Sequence, residues 1–293
     1  MLSGFTESLL IFIGLNIILG LSVYPTFSTG QISLGQAGFM AIGAYSSSIL
    51  STRLGVPFAL ALAAGGAAAA LVGALIGIPA VRVRGIYLLI VTIAFNEIVR
   101  VFFLNFKPTG AATGLWGMRQ STNLAWVYGL VVLLILFFYN VQRSRLGRAF
   151  EAIRQNEVAV GMMGVNIARA KLMVFALGAA IAGLGGGLFA HYTLFIESEL
   201  FGFPMSAEMI VYVVLGGMDT FWGPIVGAIL LTILPEWLRL LHDWRMTFFG
   251  LLMIIFMIVR PRGLVGRETV SQLSAFVVQR LPWQRSPRSS TIS

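Results

Sequence analysis

Glu97 and Arg100 stand three residues apart inside the apolar run 86–105, a spacing at which two side chains share one helix face and can pair. A charge within such a run is costly if lipid surrounds it, so the pair reads either as part of a functional site or as a structural clasp. Nearby stretches carry Gln31, Ser33, Gln36, Thr92 and Asn96. These offer hydrogen-bond donors and acceptors without net charge, which suits brief contact with a small zwitterion better than tight binding.

Other chemistries lack their parts. The chain has no cysteine, which removes disulfides, thiolate metal sites and a cysteine nucleophile, and two separate histidines, His191 and His242, do not make a metal cage. The only lysines are Lys107, after Phe106, and Lys171, after Ala170, so no Gly-x-x-x-x-Gly-Lys phosphate loop exists and any ATP-driven step needs a partner protein. No cluster of His, Asp and Ser suggests an enzyme. The expectation is a chain with no cofactor, no metal and no catalytic residue of its own.

The elements that must position these residues follow from where charge is missing. Residues 8–52, 54–81, 120–142 and 172–196 contain no Asp, Glu, Lys or Arg, and each run reaches or exceeds the roughly 20 apolar residues that cross a bilayer as a helix. A composition of 58% hydrophobic and 11% charged residues, with mean hydropathy +0.89, leaves too little polar surface for a water-solvated domain. Outer-membrane strands would alternate apolar and polar residues, whereas these runs are apolar on every side, so helices are the remaining way to span. The spacing predicts an all-α membrane bundle with about nine spans, eight to ten being compatible: 8–24, 34–52, 56–79, 86–105, 123–141, 172–190, 206–218, 221–240 and 246–259. The first of these lacks a basic leader and a small-residue cleavage pattern and reads as a retained helix.

The net charge of +9 would suit nucleic acid if it were gathered on one face, but it is not. Fourteen of the twenty basic residues lie at Arg82 and Arg84, between 143 and 171, at Arg260, Arg262 and Arg267, and at Arg280, Arg285 and Arg288. Short basic clusters between apolar runs mark cytoplasmic loops, and nine spans with an external N-terminus place all four on the inside. The lipid bilayer is thus the expected surrounding, with no nucleic-acid partner and a cytoplasmic C-terminus. The unit boundaries are 1–267 for the membrane domain, with its cytoplasmic loop at 143–170, and 268–293 for a basic, disordered tail.

Three local patterns add detail. The polar, glycine-bearing segment 25–36 interrupts an uncharged stretch and is either an ordinary loop or a broken stretch entering the bundle. Ala69, Gly73 and Gly77, and Gly183 with Gly187, form four-residue ridges that let helices approach closely in lipid. In 143–165, the helical spacing of Phe150, Ile153, Val160 and Met163 predicts a short amphipathic cytoplasmic helix closed near Gly164.

Several blocks in matching order resemble branched-chain amino acid ABC permeases of the LivM type. They are Ser33-Leu34-Gly35-Gln36-Ala37-Gly38-Phe39 with Gly43-Ala44-Tyr45, Arg84-Gly85-Ile86-Tyr87 with 92–100, and Thr109-Gly110 with Thr113-Gly114. Further on come Ser144-Arg145-Leu146-Gly147-Arg148-Ala149 with Ala152-Ile153-Arg154, Val214-Leu215-Gly216-Gly217-Met218-Asp219-Thr220 with 223–228, and Pro261-Arg262-Gly263-Leu264. The resemblance covers about 30–267. It implies an importer subunit of the bacterial inner membrane, paired with a second, similar permease, fed by a periplasmic binding protein and driven by cytoplasmic ATP-binding subunits. It also implies that the loop bearing Arg148, Glu151, Arg154, Glu157, Ala159 and Gly164 is the coupling segment that docks on the ATPase. The loop departs from the broader Glu-Ala-Ala…Gly coupling signature, because Val158 stands where an alanine is usual and the glycine is displaced. The competing reading is a self-sufficient, ion-coupled secondary transporter using Glu97 and Arg100 as a relay.

Overall fold

The computed structural model describes residues 4–83 and 85–237, with Gly250, Ile254, Ile258 and 263–265 beyond them. Its principal helices are α1 (Gly4–Ser28), α2 (Gln36–Arg53), α3 (Phe58–Ala80), α4 (Ile86–Asn105), α5 (Leu124–Arg143), α6 (Arg145–Gln155), α7 (Glu157–Met162), α8 (Ile167–Thr193), α9 (Phe203–Gly216) and α10 (Trp222–Trp237). Five of them, α1, α3, α4, α5 and α8, are long and apolar enough to cross a bilayer. The protein is a polytopic helical membrane bundle. Eight of the nine expected spans are present as helices among the described residues. The ninth, 246–259, lies outside them except for Gly250, Ile254 and Ile258, which are helical. The expected tail, Arg84 and His242 also lie outside the described residues.

The bundle is built around α8, against which α1, α2 and α3 all pack. Close approach is possible because the contact surface is glycine: a Cβ on Gly186 would strike the Met40 carbonyl, and one on Gly43 would strike the Gly183 backbone. The predicted ridges meet here, with Gly73 against Ala179, Gly77 against Leu172, Gly183 against Ala69 and Gly187 against Leu62. Van der Waals contact between backbones does the work that burial from water does in soluble cores. This packing also explains α2, which is too polar to qualify as a span by composition. Gln36, Ser47 and Ser48 are buried, and Ser47 bonds back to Ala44 O at 3.1 Å, so α2 sits inside the bundle and away from lipid.

Helix ends differ from the sequence reading where side chains supply the missing bonds. α1 runs past Pro25 to Ser28, because the Thr26 hydroxyl donates to Val23 O at 2.8 Å and the Ser28 hydroxyl to Pro25 O at 2.6 Å. The expected single amphipathic helix in 143–165 is two helices, α6 and α7. Asn156 breaks them apart in an extended conformation, and its side chain caps α7 by accepting from Ala159 N at 3.1 Å. Phe150, Ile153 and Val160 are buried as expected, but Met163 is 82% exposed, because it lies at the C-cap of the short α7 and not on a continued helical face.

Contacts sort the connections between two ends. At one end Gly77, late in α3, meets Leu172, early in α8, which brings Arg82 to the same end as 143–171. Leu264 N and Val265 N donate to Leu215 O and Gly216 O at 3.0 and 2.8 Å, capping α9 at that same end. Gly263 and Gly217, both with positive φ, touch backbone to backbone there, which leaves no room for a side chain. The opposite end carries Arg53 bonded to Pro108 O, Thr122 bonded to Leu188 O at 2.9 Å, and a two-residue ladder pairing Leu115 with Ile196 and Trp116 with Phe195.

Candidate functional site

The broken segment between α1 and α2 enters the bundle. Thr29, Gln31, Ser33 and Gln36 are all buried, and the segment is tied to the surrounding helices by hydrogen bonds. Leu34 N donates to the Thr92 hydroxyl of α4 at 3.0 Å, and Ala37 N donates to the Ser206 hydroxyl of α9 at 3.1 Å. The Gln36 amide donates to Ser22 O of α1 at 3.4 Å, and Gly178 of α8 leaves room for it. Backbone that leaves the helical ladder inside a membrane must find such partners, and here α1, α4 and α9 provide them.

Ser33, Gln36, Thr92 and Asn96 therefore come together in one interior site. Thr92, Phe95, Asn96, Val99 and Phe103 form the inward face of α4, and Gly38 lets α2 lie against the Asn96 amide. Phe39 closes one side, its ring 4.8 Å from Phe95 and set edge-on to Phe175. Among the described residues, several polar atoms here have no hydrogen-bond partner: the Gln36 Oε1, both side-chain polar atoms of Asn96, and the Nε2 of Gln31. Leaving a buried amide unpaired costs about 1–3 kcal/mol. Gln31 sits lower, next to Gly30, whose left-handed φ of +74° places the chain against the backbone of Arg154.

Glu97 and Arg100 are not part of this interior site. The Arg100 Nε donates to the Glu97 carboxylate at 2.7 Å, and the two side chains are 39% and 28% exposed, Glu97 the more so, along the edge of α4 where the Arg100 stem lies beside Gly202 at the start of α9. Successive residues on a helix point about 100° apart, so Asn96 and Glu97 belong to different surfaces.

The second group of candidates lies on α6 and α7. Arg154 donates to Met218 O at 3.1 Å and pairs with Asp219 at 2.8 Å, linking α6 to the turn between α9 and α10. Glu157 pairs with Lys171 at 2.9 Å, linking α7 to α8, and the Lys171 side chain is only 6% exposed. Arg148 points outward and donates to Arg143 O at 3.2 Å, Ser144 caps α6, and Gly164 closes the α7 turn at φ +82°. Glu151 and Arg154 line a cavity of about 360 Å³ between α1, α5, α6 and the Met218–Asp219 turn, with Tyr24, Phe138 and Leu177 among its apolar walls. The half-buried Ala159 lies beside the exposed residues Val158, Met162 and Met163, which give α7 an apolar, solvent-facing tip. The sequence reading noted Val158 only as a departure from the coupling signature and passed over Met162 and Ser206. An exposed methionine pair next to a turn glycine, and a serine at the start of a helix, were the available signals.

The family model for the branched-chain amino acid transport system permease component matches residues 5–257. The LivM high-affinity branched-chain amino acid transport system permease protein of Escherichia coli K12 is 38% identical over 288 residues, covering 86% of this chain and 66% of the relative. This chain thus spans just under two thirds of that protein's length. The LivH permease protein of the same system and organism is 25% identical, covering 55% of each chain, and the ribose import permease RbsC is 26% identical, covering 77% of this chain and 75% of the relative. No solved structure matches. On the extent of the family match and the identity to LivM, this chain belongs to the family of branched-chain amino acid transport permease components.

Proposed function

We propose that this protein is a membrane-spanning subunit of an ABC importer that moves branched-chain or closely related amino acids across the bacterial inner membrane. Family membership carries the reading, and the α6–α7 pair supports its energetic half. Two short helices stand at one end of the bundle, each braced to the membrane helices by an ion pair, and α7 presents an apolar tip for another protein. The partners are a second permease of the family, ATP-binding subunits docked on α6 and α7, and a periplasmic binding protein at the opposite end. That arrangement makes the basic end cytoplasmic and the chain a transport subunit without ATP chemistry of its own.

Transport follows from two arrangements of one polar site. ATP-driven closure of the ATPases shifts α6, Arg154 carries the shift to Asp219 and to the α1–α2 break at Gly30, and the interior site of Ser33, Gln36, Thr92 and Asn96 rearranges. The unpaired amide atoms of Gln36 and Asn96 are the groups available to a passing zwitterion once the site opens. An ion-coupled transporter relying on Glu97 and Arg100 is the competing reading, and the named relatives favour the importer.

The test is leucine uptake into proteoliposomes. Uptake is expected only when this chain is assembled with the second permease, the ATPases and the binding protein, with ATP present. Accumulation of leucine by the purified chain alone under an ion gradient would refute the importer reading.

A further inference from the structure

The elbow between α5 and α6 concentrates positive charge. α5 ends at Arg143, Ser144 turns the chain, and α6 carries Arg145 at its first position and Arg148 one turn on. All three arginines are exposed, and among the described residues none of them is ion-paired. The Arg148 guanidinium donates to Arg143 O at 3.2 Å, which sets the start of α6 against the end of α5. A helix N-terminus carries partial positive charge and favours anions, yet the first turn of α6 has no acidic residue. The neighbouring carboxylates are placed elsewhere: Glu151 lines the cavity between α1, α5 and α6, and Asp219 is held by Arg154. Towards the middle of the membrane, α5 turns Val132, Leu133 and Leu136 outward, and Arg143 follows Leu136 two helical turns later on the same side. The Arg143 guanidinium lies over the exposed Tyr139 ring, 4.2 Å from its centre. An exposed tyrosine and an arginine at the end of an apolar stripe mark the depth at which acyl chains give way to headgroups.

We propose that this elbow binds an anionic phospholipid, with the phosphate among Arg143, Arg145 and Arg148 and an acyl chain along Val132, Leu133 and Leu136. Guanidinium groups match phosphate oxygens in pairs, and the phosphate supplies the negative charge that the start of α6 lacks. A soluble phosphate compound would meet the arginines and leave the α5 stripe unused, whereas a phospholipid uses both. The assignment needs only that the bundle spans a membrane, and it is independent of how transport is driven. Bound lipid braces the start of α6, the helix whose far end is tied down by the Arg154–Asp219 pair.

The test is native mass spectrometry of the purified full-length chain, delipidated in detergent and offered equal amounts of phosphatidylglycerol and phosphatidylcholine of the same acyl length. Preferential retention of phosphatidylglycerol is expected, and it should weaken when ionic strength is raised during lipid incubation, a readout that needs no variant. Arg143→Gln and Arg145→Gln should each reduce the preference roughly five-fold. Arg145→Lys, which keeps the charge, should retain most of it, and Arg119→Gln, the same loss of charge in the connection before α5, should leave it unaltered. Leu136→Gln should weaken lipid binding without a change in charge. Equal retention of the two lipids, a preference insensitive to ionic strength, or one that survives in the Arg143→Gln, Arg145→Gln double variant overturns the proposal, as does an equal loss in Arg119→Gln. Glycerol phosphate, a headgroup without acyl chains, is added as competitor. If it displaces the lipid at comparable concentration and Leu136→Gln binds as the unmodified chain does, the arginines hold soluble phosphate and the lipid assignment fails.

Discussion

The guanidinium of Arg154 spans from α6 to the Asp219 carboxylate at 2.8 Å and also donates to Met218 O, while the backbone of Arg154 lies against Gly30. One residue of the peripheral helix pair thus touches the α9–α10 turn and the α1–α2 break together. Arg154 thereby ties α6 to the segment that leads into the interior polar site and to the turn that follows α9.

Arg154→Ala is expected to reduce ATP-driven uptake strongly while leaving the fold in place. A pair this exposed contributes about 0.2–1 kcal/mol to stability, so the melting temperature of the purified chain should move little. The informative readout is ATP hydrolysis without matching leucine uptake. A variant with unchanged coupling would remove Arg154 from the transmission route.

Glu157 and Lys171 should respond unequally. Removing Glu157 leaves the buried ammonium of Lys171 without its ion-pair partner, a change that costs about 3–5 kcal/mol in a fully buried pair and less here because the carboxylate is partly solvated. Thermal unfolding should therefore rank Glu157→Ala as more damaging than Lys171→Met. The double variant should fall short of the sum of the two.

Glycine substitutions separate helix contact from lipid exposure. Gly186→Ala puts a methyl group into the Met40 carbonyl and should destabilise by roughly 1–3 kcal/mol, the usual cost of overpacking. Gly129→Ala on α5 meets open space and should be neutral or stabilising by about 0.5–1 kcal/mol through helix preference. Detergent-resistant thermal melts of the two variants check the contrast.

Asn96→Leu is expected to raise stability and lower transport together. It removes two buried polar atoms without partners, which relieves about 1–3 kcal/mol, and it deletes groups that the open site needs. A melting temperature that rises while uptake persists would assign Asn96 to packing alone.

Uncharged runs longer than a bilayer, punctuated by basic clusters, determined from sequence that this is a helical membrane protein, and located eight helices to within a few residues. They did so because lipid tolerates neither scattered charge nor open backbone, and a helix length is fixed by bilayer thickness. The small-residue ridges on α3 and α8 were equally readable, since close helix contact in lipid has a residue signature in each partner. Pairings set by rotation and by long-range contact were not readable. Asn96 and Glu97 are neighbours in sequence, yet one faces the interior site and the other the outer surface, because the turn of α4 and the positions of α2 and α9 decide which residues meet. Ser206 joins Ala37 across 169 residues and Arg154 joins Asp219 across 65, contacts that exist only in the packed bundle.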